Sequence, residues 1–256
     1  MIKKLLAVTA AATISSVAMA ADENTFLSQN GLTFSGNVAL TSDYRWRGQT
    51  QTENDPAIQG TFTLAHSSGL YVSVFASNVD FLVEPGGKET HLELDPSIGF
   101  TTPITLGSLK PTLDIGAAYY NYPSNSDLNF PEYYAKLSFA DVLSKGDVLT
   151  PNIAYSNEFL GYSSVNNWYF NLTYTTPFAD TGFGGIASVG YANADRTVYG
   201  NDNTAWDWKV GVNYGFKSVQ GLSAELAAVG TNIEGYSAAA NRGVDTGAVF
   251  TLTKAF

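Results

Sequence analysis

The sequence predicts an all-β fold: a transmembrane, antiparallel, up-and-down β-barrel of about twelve strands. Three observations lead there. From Gly31 onward apolar residues recur at every second position, the period of a strand with one oily face. The connections alternate between short and long, as turns at one rim of a barrel and loops at the other do. Aromatic residues gather at the two ends of the apolar faces, where a barrel meets the two membrane interfaces.

The elements follow in chain order. Lys3 and Lys4, the apolar stretch from Leu5 to Val17, and Ala18-Met19-Ala20 read as a secretory signal peptide over residues 1–20, cleaved before Ala21 and too short to anchor the chain. Residues 21–256 then form a single barrel domain. In GLTFSGNVALTSDYRWRG the even positions run from Leu32 through Phe34, Val38, Leu40 and Tyr44 to Trp46, and the odd positions are polar or charged. The same dyad returns with Ile58, Phe62 and Leu64, then Leu70, Val72 and Val74, then Leu92, Leu94, Ile98 and Phe100. Leu113, Ile115 and Tyr119 follow, then Tyr133, Leu137 and Phe139, then Leu149, Ile153 and Tyr155. Trp168, Phe170, Leu172 and Tyr174 come next, then Phe183, Ala187, Val189 and Tyr191. Trp206, Trp208, Val210, Val212 and Tyr214 give the clearest face; Leu222, Leu226 and Ala228, then Val244, Ala248, Phe250 and Leu252, complete the set. Pro96 falls inside the fourth strand, where it removes a ladder hydrogen bond, so a bulge or an early break is expected there.

The longer connections span 48–56, 80–90, 122–130, 157–166, 193–204 and 234–243. An even strand count returns both termini to the periplasm, as an exported start requires. Tyr44, Trp46, Tyr119, Tyr133, Tyr155, Trp168, Tyr191 and Trp206 form the predicted girdle on the long-loop side. Phe34, Phe100, Phe139, Tyr174, Phe183, Tyr214 and Phe256 form the other. None of these apolar-face positions is charged, in keeping with a cost of about 2–4 kcal/mol for Arg or Lys on a lipid face at the midplane. A periplasmic β-sandwich also alternates, but has no reason to band its aromatics.

Composition narrows the function. The 256 residues carry 13 Lys+Arg against 23 Asp+Glu, a net charge of −10, so there is no basic face for a nucleic acid. Absence of cysteine rules out disulfides, thiol catalysis and Cys-ligated zinc. His66 and His91 are the two histidines, too few for a His-rich metal site, and nothing implies a cofactor. A lipid hydrolase embedded in the barrel needs a nucleophile beside a base. His66-Ser67-Ser68 is the one His–Ser cluster and sits in a predicted short turn, where turn chemistry explains it, so no catalytic residue is assigned. His91 reads as a lumen residue.

Charges fall at the inward parity. Pore-lining or constriction candidates are Asp43, Arg45 and Arg47 on the first strand, Glu93 and Asp95 on the fourth, and Asp114 on the fifth. Glu132 and Lys136 on the sixth, Asp207 and Lys209 on the tenth and Glu225 on the eleventh complete them; Lys110 and Asp245 share the parity. Asp43, Arg45 and Arg47, two residues apart, read either as a charged row at the long-loop mouth or as an internal ion pair. Asp43, Asp55 and Asp80 are a weak candidate for calcium at the rim, without a recognised loop motif. Inward Tyr71, Phe75, Tyr120, Tyr134 and Tyr169 either fill the lumen or stack on a planar solute. Twelve strands tilted about 40° give a wall-to-wall diameter of roughly 24 Å, and inward side chains reduce the bore to about 10 Å or less.

The C-terminal VFTLTKAF ends on Phe256, resembling the terminal signature by which the outer-membrane assembly machinery engages a last strand; Lys254 departs from it and can snorkel. The stretch TSDYRWRGQTQTENDPAIQG (41–60), with HSSGLY (66–71) and SNVDF (77–81), resembles the TorF-type porin family, bacterial outer-membrane barrels earlier grouped as conserved proteins of unknown function. Trp46 stands where that family's pattern carries Phe. The resemblance implies an outer-membrane barrel with a porin role and supplies no substrate or site. Three function classes follow: passive diffusion of small hydrophilic solutes or ions with weak cation preference; a non-conducting structural or ligand-binding barrel; and the lipid hydrolase. The expected partners are outer-membrane lipids and lipopolysaccharide, the latter bridged through divalent cations by acidic loops, and the barrel-assembly machinery.

Overall fold

The computed structural model describes residues 26–81, 88–234 and 241–256. The predicted signal peptide lies outside the described residues. After a one-turn helix, Phe26–Gln29, the barrel strands are β1 Leu32–Thr41, β2 Ala57–His66, β3 Leu70–Asn78, β4 Leu92–Pro103, β5 Thr112–Tyr120 and β6 Phe130–Ala140. They continue as β7 Val148–Ser156, β8 Asn167–Pro177, β9 Phe183–Ala194, β10 Thr204–Gly215, β11 Leu222–Thr231 and β12 Gly247–Ala255. Among the described residues these twelve close into one barrel in which each strand pairs antiparallel with its sequence neighbours. Closure is between β1 and β12, from Asn37 opposite Ala255 to Thr41 opposite Thr251. Phe256 extends the seam: its backbone exchanges two 3.0 Å hydrogen bonds with Gly36, and its ring packs 6.0 Å from Phe62.

Which face is wet follows from burial. Ile58, Ile98 and Val210 are 57–59% exposed on the outside, whereas Asp114 and Glu132 are 6% exposed inside. A soluble sheet would invert this order; a barrel in hydrocarbon has it this way round. Among the described residues no helix is long and apolar enough to cross a membrane, so the chain crosses with strands. The girdles are present: Tyr155 lies 4.6 Å from Trp168 and Tyr191 4.7 Å from Trp206 at the long-loop end, and Phe183 lies 4.7 Å from Tyr214 at the other. Lys254 is exposed on the outer face at the short-turn rim, where its amine donates to the carbonyls of Gln220 and Ala255.

Several expectations are corrected. The first strand ends at Thr41, so Tyr44 and Trp46 do not belong to the lipid-facing girdle. Val244 precedes β12 and is buried at the mouth. Lys110 and Asp245 lie outside the strands and are exposed. His91 is exposed in an outer connection, 3.1 Å from Glu89, and does not face the lumen. Pro96 neither bulges nor breaks β4, and stands in register opposite Val74 of β3. Leu94 donates toward Asn121 on the β5 side, and two residues on Pro96 faces the same side; there the ladder with β5 begins at Ser97. The missing N–H costs the one rung opposite Tyr119, and the register holds on both sides of it, from Leu94 with Asn121 to Ser97 opposite Ala118.

Candidate functional site

The first connection, 42–56, folds into the outer mouth. Asp43 leaves the strand and its carboxylate accepts from Thr50 Oγ1 at 2.6 Å and from Arg45 Nε. That pairing bends the chain into a two-rung hairpin, Arg45 opposite Thr50 and Trp46 opposite Gln49. Arg47 and Gly48 form its tip with φ of 49° and 80°, the conformation tight hairpin turns need. A Cβ on Gly48 would stand 2.6 Å from the Gly230 carbonyl, so the tip lies flush against the end of β11. Arg45 Nη1 donates to the carbonyls of Gly48, Gly243 and Asp245, each at 3.1 Å. Asp43 and Arg45 therefore clamp the loop to the 241–246 segment and do not form a charged row with Arg47.

Arg47 reaches across the lumen to Glu132 of β6 at 2.5 Å. Its guanidinium sits 3.9 Å from the Tyr169 ring centre and 4.4 Å from that of Trp46. Burial alone would lower its pKa, but the facing Glu132 carboxylate outweighs it and holds the cation charged. Trp46 packs 5.6 Å from Tyr120 and 6.1 Å from Phe159. Around them Phe130, Phe159, Val165, Tyr199, Ile233 and Val244 are buried in one cluster. Each of the six outer connections contributes a buried side chain: Thr52, Val79, Tyr122, Phe159, Tyr199 and Ile233. Tyr199 donates to Asn167 Oδ1 at 2.7 Å, and burial raises its phenol pKa. Tyr44 packs 5.8 Å from Phe75; burial, then the neighbouring Glu93 carboxylate, raises its pKa.

Below the mouth, inward polar side chains bond to one another. Tyr71 donates to Asp114 at 2.7 Å and meets the Tyr134 hydroxyl, while Lys136 lies 4.0 Å from Asp114 and 4.3 Å over the Tyr134 ring. Gly99 and Gly116 make this possible, since a Cβ on either would collide with the Tyr71 or Tyr134 hydroxyl at 2.4–2.5 Å. On the opposite wall Tyr169 donates to Asp207 at 3.1 Å and Lys209 pairs with Glu225.

At the short-turn end the lumen holds a cavity of about 380 Å³ lined by Thr175, Gly184, Asn213, Glu225, Thr251 and Thr253, among others. Gly146 stands on one rim, and Asp147 follows it in the β6–β7 turn. Its carboxylate accepts from the amides of Val142, Leu143 and Ser144 and from the Tyr174 hydroxyl at 2.6–2.9 Å. Burial would raise its pKa, but these donors outweigh it and hold the carboxyl at about 2.

The eleven residues chosen from the inward parity are all buried or half-buried. Pairing joins Arg47 with Glu132, Lys136 with Asp114 and Lys209 with Glu225. The Asp43, Asp55 and Asp80 group does not assemble: among the described residues no three His, Asp or Glu side chains form a metal cage. His66 Nδ1 meets Ser68 Oγ at 2.8 Å in an exposed turn and also accepts the Ser68 amide, a turn cap. Phe159, Val165, Tyr199 and Ile233 were not anticipated, although the apolar run FLGY within a predicted polar loop was a usable signal.

Comparison with the NanC porin agrees with this architecture. The NanC porin is similar at a TM-score of 0.57 and 12% identity, covering 86% of this chain and 98% of its own. A structure from a study of in-meso crystallization of membrane proteins gives a TM-score of 0.50 and 9% identity, covering 87% and 83%. The COG4313 outer-membrane channel of Pseudomonas putida F1 gives 0.46 and 13% identity, covering 87% and 95%. Comparison with curated proteins returns no match. A closed barrel, apolar outside and charged inside, is the form in which chains span the bacterial outer membrane, and this chain resides there. Residues 27–256 match the family described as "Bacterial protein of unknown function (Gcw_chp)", and the chain belongs to that family.

Proposed function

We propose that the chain is a narrow outer-membrane channel, a TorF-type porin in kind, that passes small hydrophilic solutes or ions with weak preference for cations. The carrying observation is the composition of the lumen: seven carboxylates (Asp43, Glu93, Asp95, Asp114, Glu132, Asp207 and Glu225) against Arg45, Arg47, Lys136 and Lys209, above a cavity of mixed polar and apolar lining at the inner end. An acidic lumen raises the local concentration of cations. The first-loop hairpin narrows the outer end, so conductance is low until it moves. Reversal potentials of the refolded chain in planar bilayers under a salt gradient test this. Small cation-selective currents are expected, enlarged when residues 45–50 are replaced by a Gly-Gly turn. Anion preference, or silence from both proteins, overturns the channel.

One observation favours a non-conducting, ligand-binding or structural barrel: all six outer connections bury side chains in the mouth. Silence from both proteins is the result that reading expects. In either case the outer belt is proposed to face lipid and lipopolysaccharide, and Phe256 to serve as the terminal signal for the assembly machinery. Removing Phe256 should then reduce the folded, heat-modifiable form in outer-membrane fractions.

A further inference from the structure

The inward charges do not balance, and the imbalance is local. Arg45 pairs with Asp43, Arg47 with Glu132, Lys136 with Asp114 and Lys209 with Glu225, so among the described residues all four inward cations are committed. Asp207 stands by itself beside the Tyr169 hydroxyl. Glu93 and Asp95 stand together, two residues apart on the inward face of β4, 2% and 7% exposed and close enough to repel. Among the described residues neither has a cationic partner.

Their surroundings suit anions. Glu93 Oε1 accepts from the Tyr122 hydroxyl at 3.0 Å, and Asp95 Oδ1 accepts from the Asn121 amide at 2.9 Å. Each of these bonds occupies one oxygen. Glu93 Oε2 is buried and has no hydrogen-bond partner. The Tyr44 hydroxyl of the first loop and the Asp95 carboxyl both lie within hydrogen-bonding reach of the Glu93 side chain. An unpaired buried carboxylate oxygen is costly, and two adjacent carboxylates without a counter-charge more so. A hard cation removes both costs at once, and oxygen donors are its preferred ligands.

We propose that Glu93 and Asp95 hold a divalent cation of the calcium and magnesium class in the outer mouth, through Glu93 Oε2 and the second oxygen of Asp95, with water completing its shell. Two carboxylates are a sparse cage, which places the affinity at about 10⁻⁴–10⁻³ M, the range of extracellular calcium modules. The site braces β4 against the first and third outer connections through Tyr44 and Tyr122. It does not depend on whether the barrel conducts.

The probe is terbium, excited through neighbouring tyrosines, on the refolded full chain in detergent at neutral pH. Sensitised emission is expected, displaced by millimolar calcium or magnesium. It is expected to vanish in the Glu93→Gln/Asp95→Asn double variant and to persist in Glu158→Gln, which removes an exposed outer-loop acid. Heat-modifiable migration verifies folding. If the double variant does not fold, Asp95→Asn alone carries the comparison, with displacement by calcium weakened about tenfold as ligand charge is lost. Absent emission, emission that calcium and magnesium fail to displace, or emission that survives in the folded double variant overturns the site. A carboxyl pair that merely shares a proton gives the first of these.

Discussion

The two ends of this barrel share one wall and solve opposite problems. At the outer end the connections are long, carry apolar residues and fold back over the lumen: Phe159 is 0% exposed, Val165 1% and Tyr199 3%, though none lies in a barrel strand. At the inner end the turns are short, their polar groups are met locally, as around Asp147, and a cavity of about 380 Å³ remains. A short turn cannot reach the barrel axis, whereas a connection of nine residues or more can. Loop length and apolar content, not the strands, therefore decide which end is filled. If this contrast is right, mutations at the mouth should alter access and loop order with little effect on the wall, and mutations at the inner rim should do the reverse.

The largest expected effect is at Arg47. Arg47→Ala leaves Glu132 buried without its partner and withdraws packing from Trp46 and Tyr169, at a cost of about 3–5 kcal/mol. Faster proteolysis within 42–56 and larger currents should follow, while the heat-modifiable barrel persists. A barrel that melts together with its loop would show that the mouth and the wall are one cooperative unit. Next comes Tyr199→Phe, which strips the buried Asn167 of a 2.7 Å hydrogen bond and costs about 1–3 kcal/mol. Hydrogen exchange should quicken in 195–203 and leave the inner turns unchanged.

At the inner rim the test is pH. Asp147 is held at about 2, against roughly 3.9 for an unfolded aspartate. Its stabilisation is therefore complete above about pH 4 and fades as pH falls through 2. Asp147→Asn should lower the unfolding midpoint at pH 7 by a few degrees, and the gap to the unmodified chain should close as pH falls through 2. A gap independent of pH would mean that shape, not charge, holds the turn. The smallest effect is at Glu225→Gln, beside the cavity. Its pair with Lys209 is half-buried and contributes about 1 kcal/mol or less. Cation preference should decline measurably while stability hardly changes.

Much of the fold was legible because alternation reports directly which side of each strand is wet. The aromatic bands were equally legible, except at their first members. Tyr44 and Trp46 continue the parity of β1, yet the chain leaves the strand after Thr41. A dyad reads the same in a lipid-facing strand and in a two-rung hairpin inside the mouth. What separates them is the hydrogen bond from Thr50 to Asp43 and the positive φ of Arg47 and Gly48. Val244 was misplaced for the same reason. The lumen candidates were found by sign and parity, but not their partners: Arg47 and Glu132 are 85 residues apart, and Tyr71 and Tyr134 are 63 apart.

By itself the sequence determined the barrel, its up-and-down order, its oily exterior and its inward charge, since each depends on a residue and its near neighbours in a chain that alternates between two solvents. Only the tertiary structure decided that the first loop folds inward, that among the described residues all four inward cations are taken, and that Glu93 and Asp95 are left side by side without one. Those outcomes depend on which strands closure brings face to face across the lumen, a distance over which local pattern carries no information.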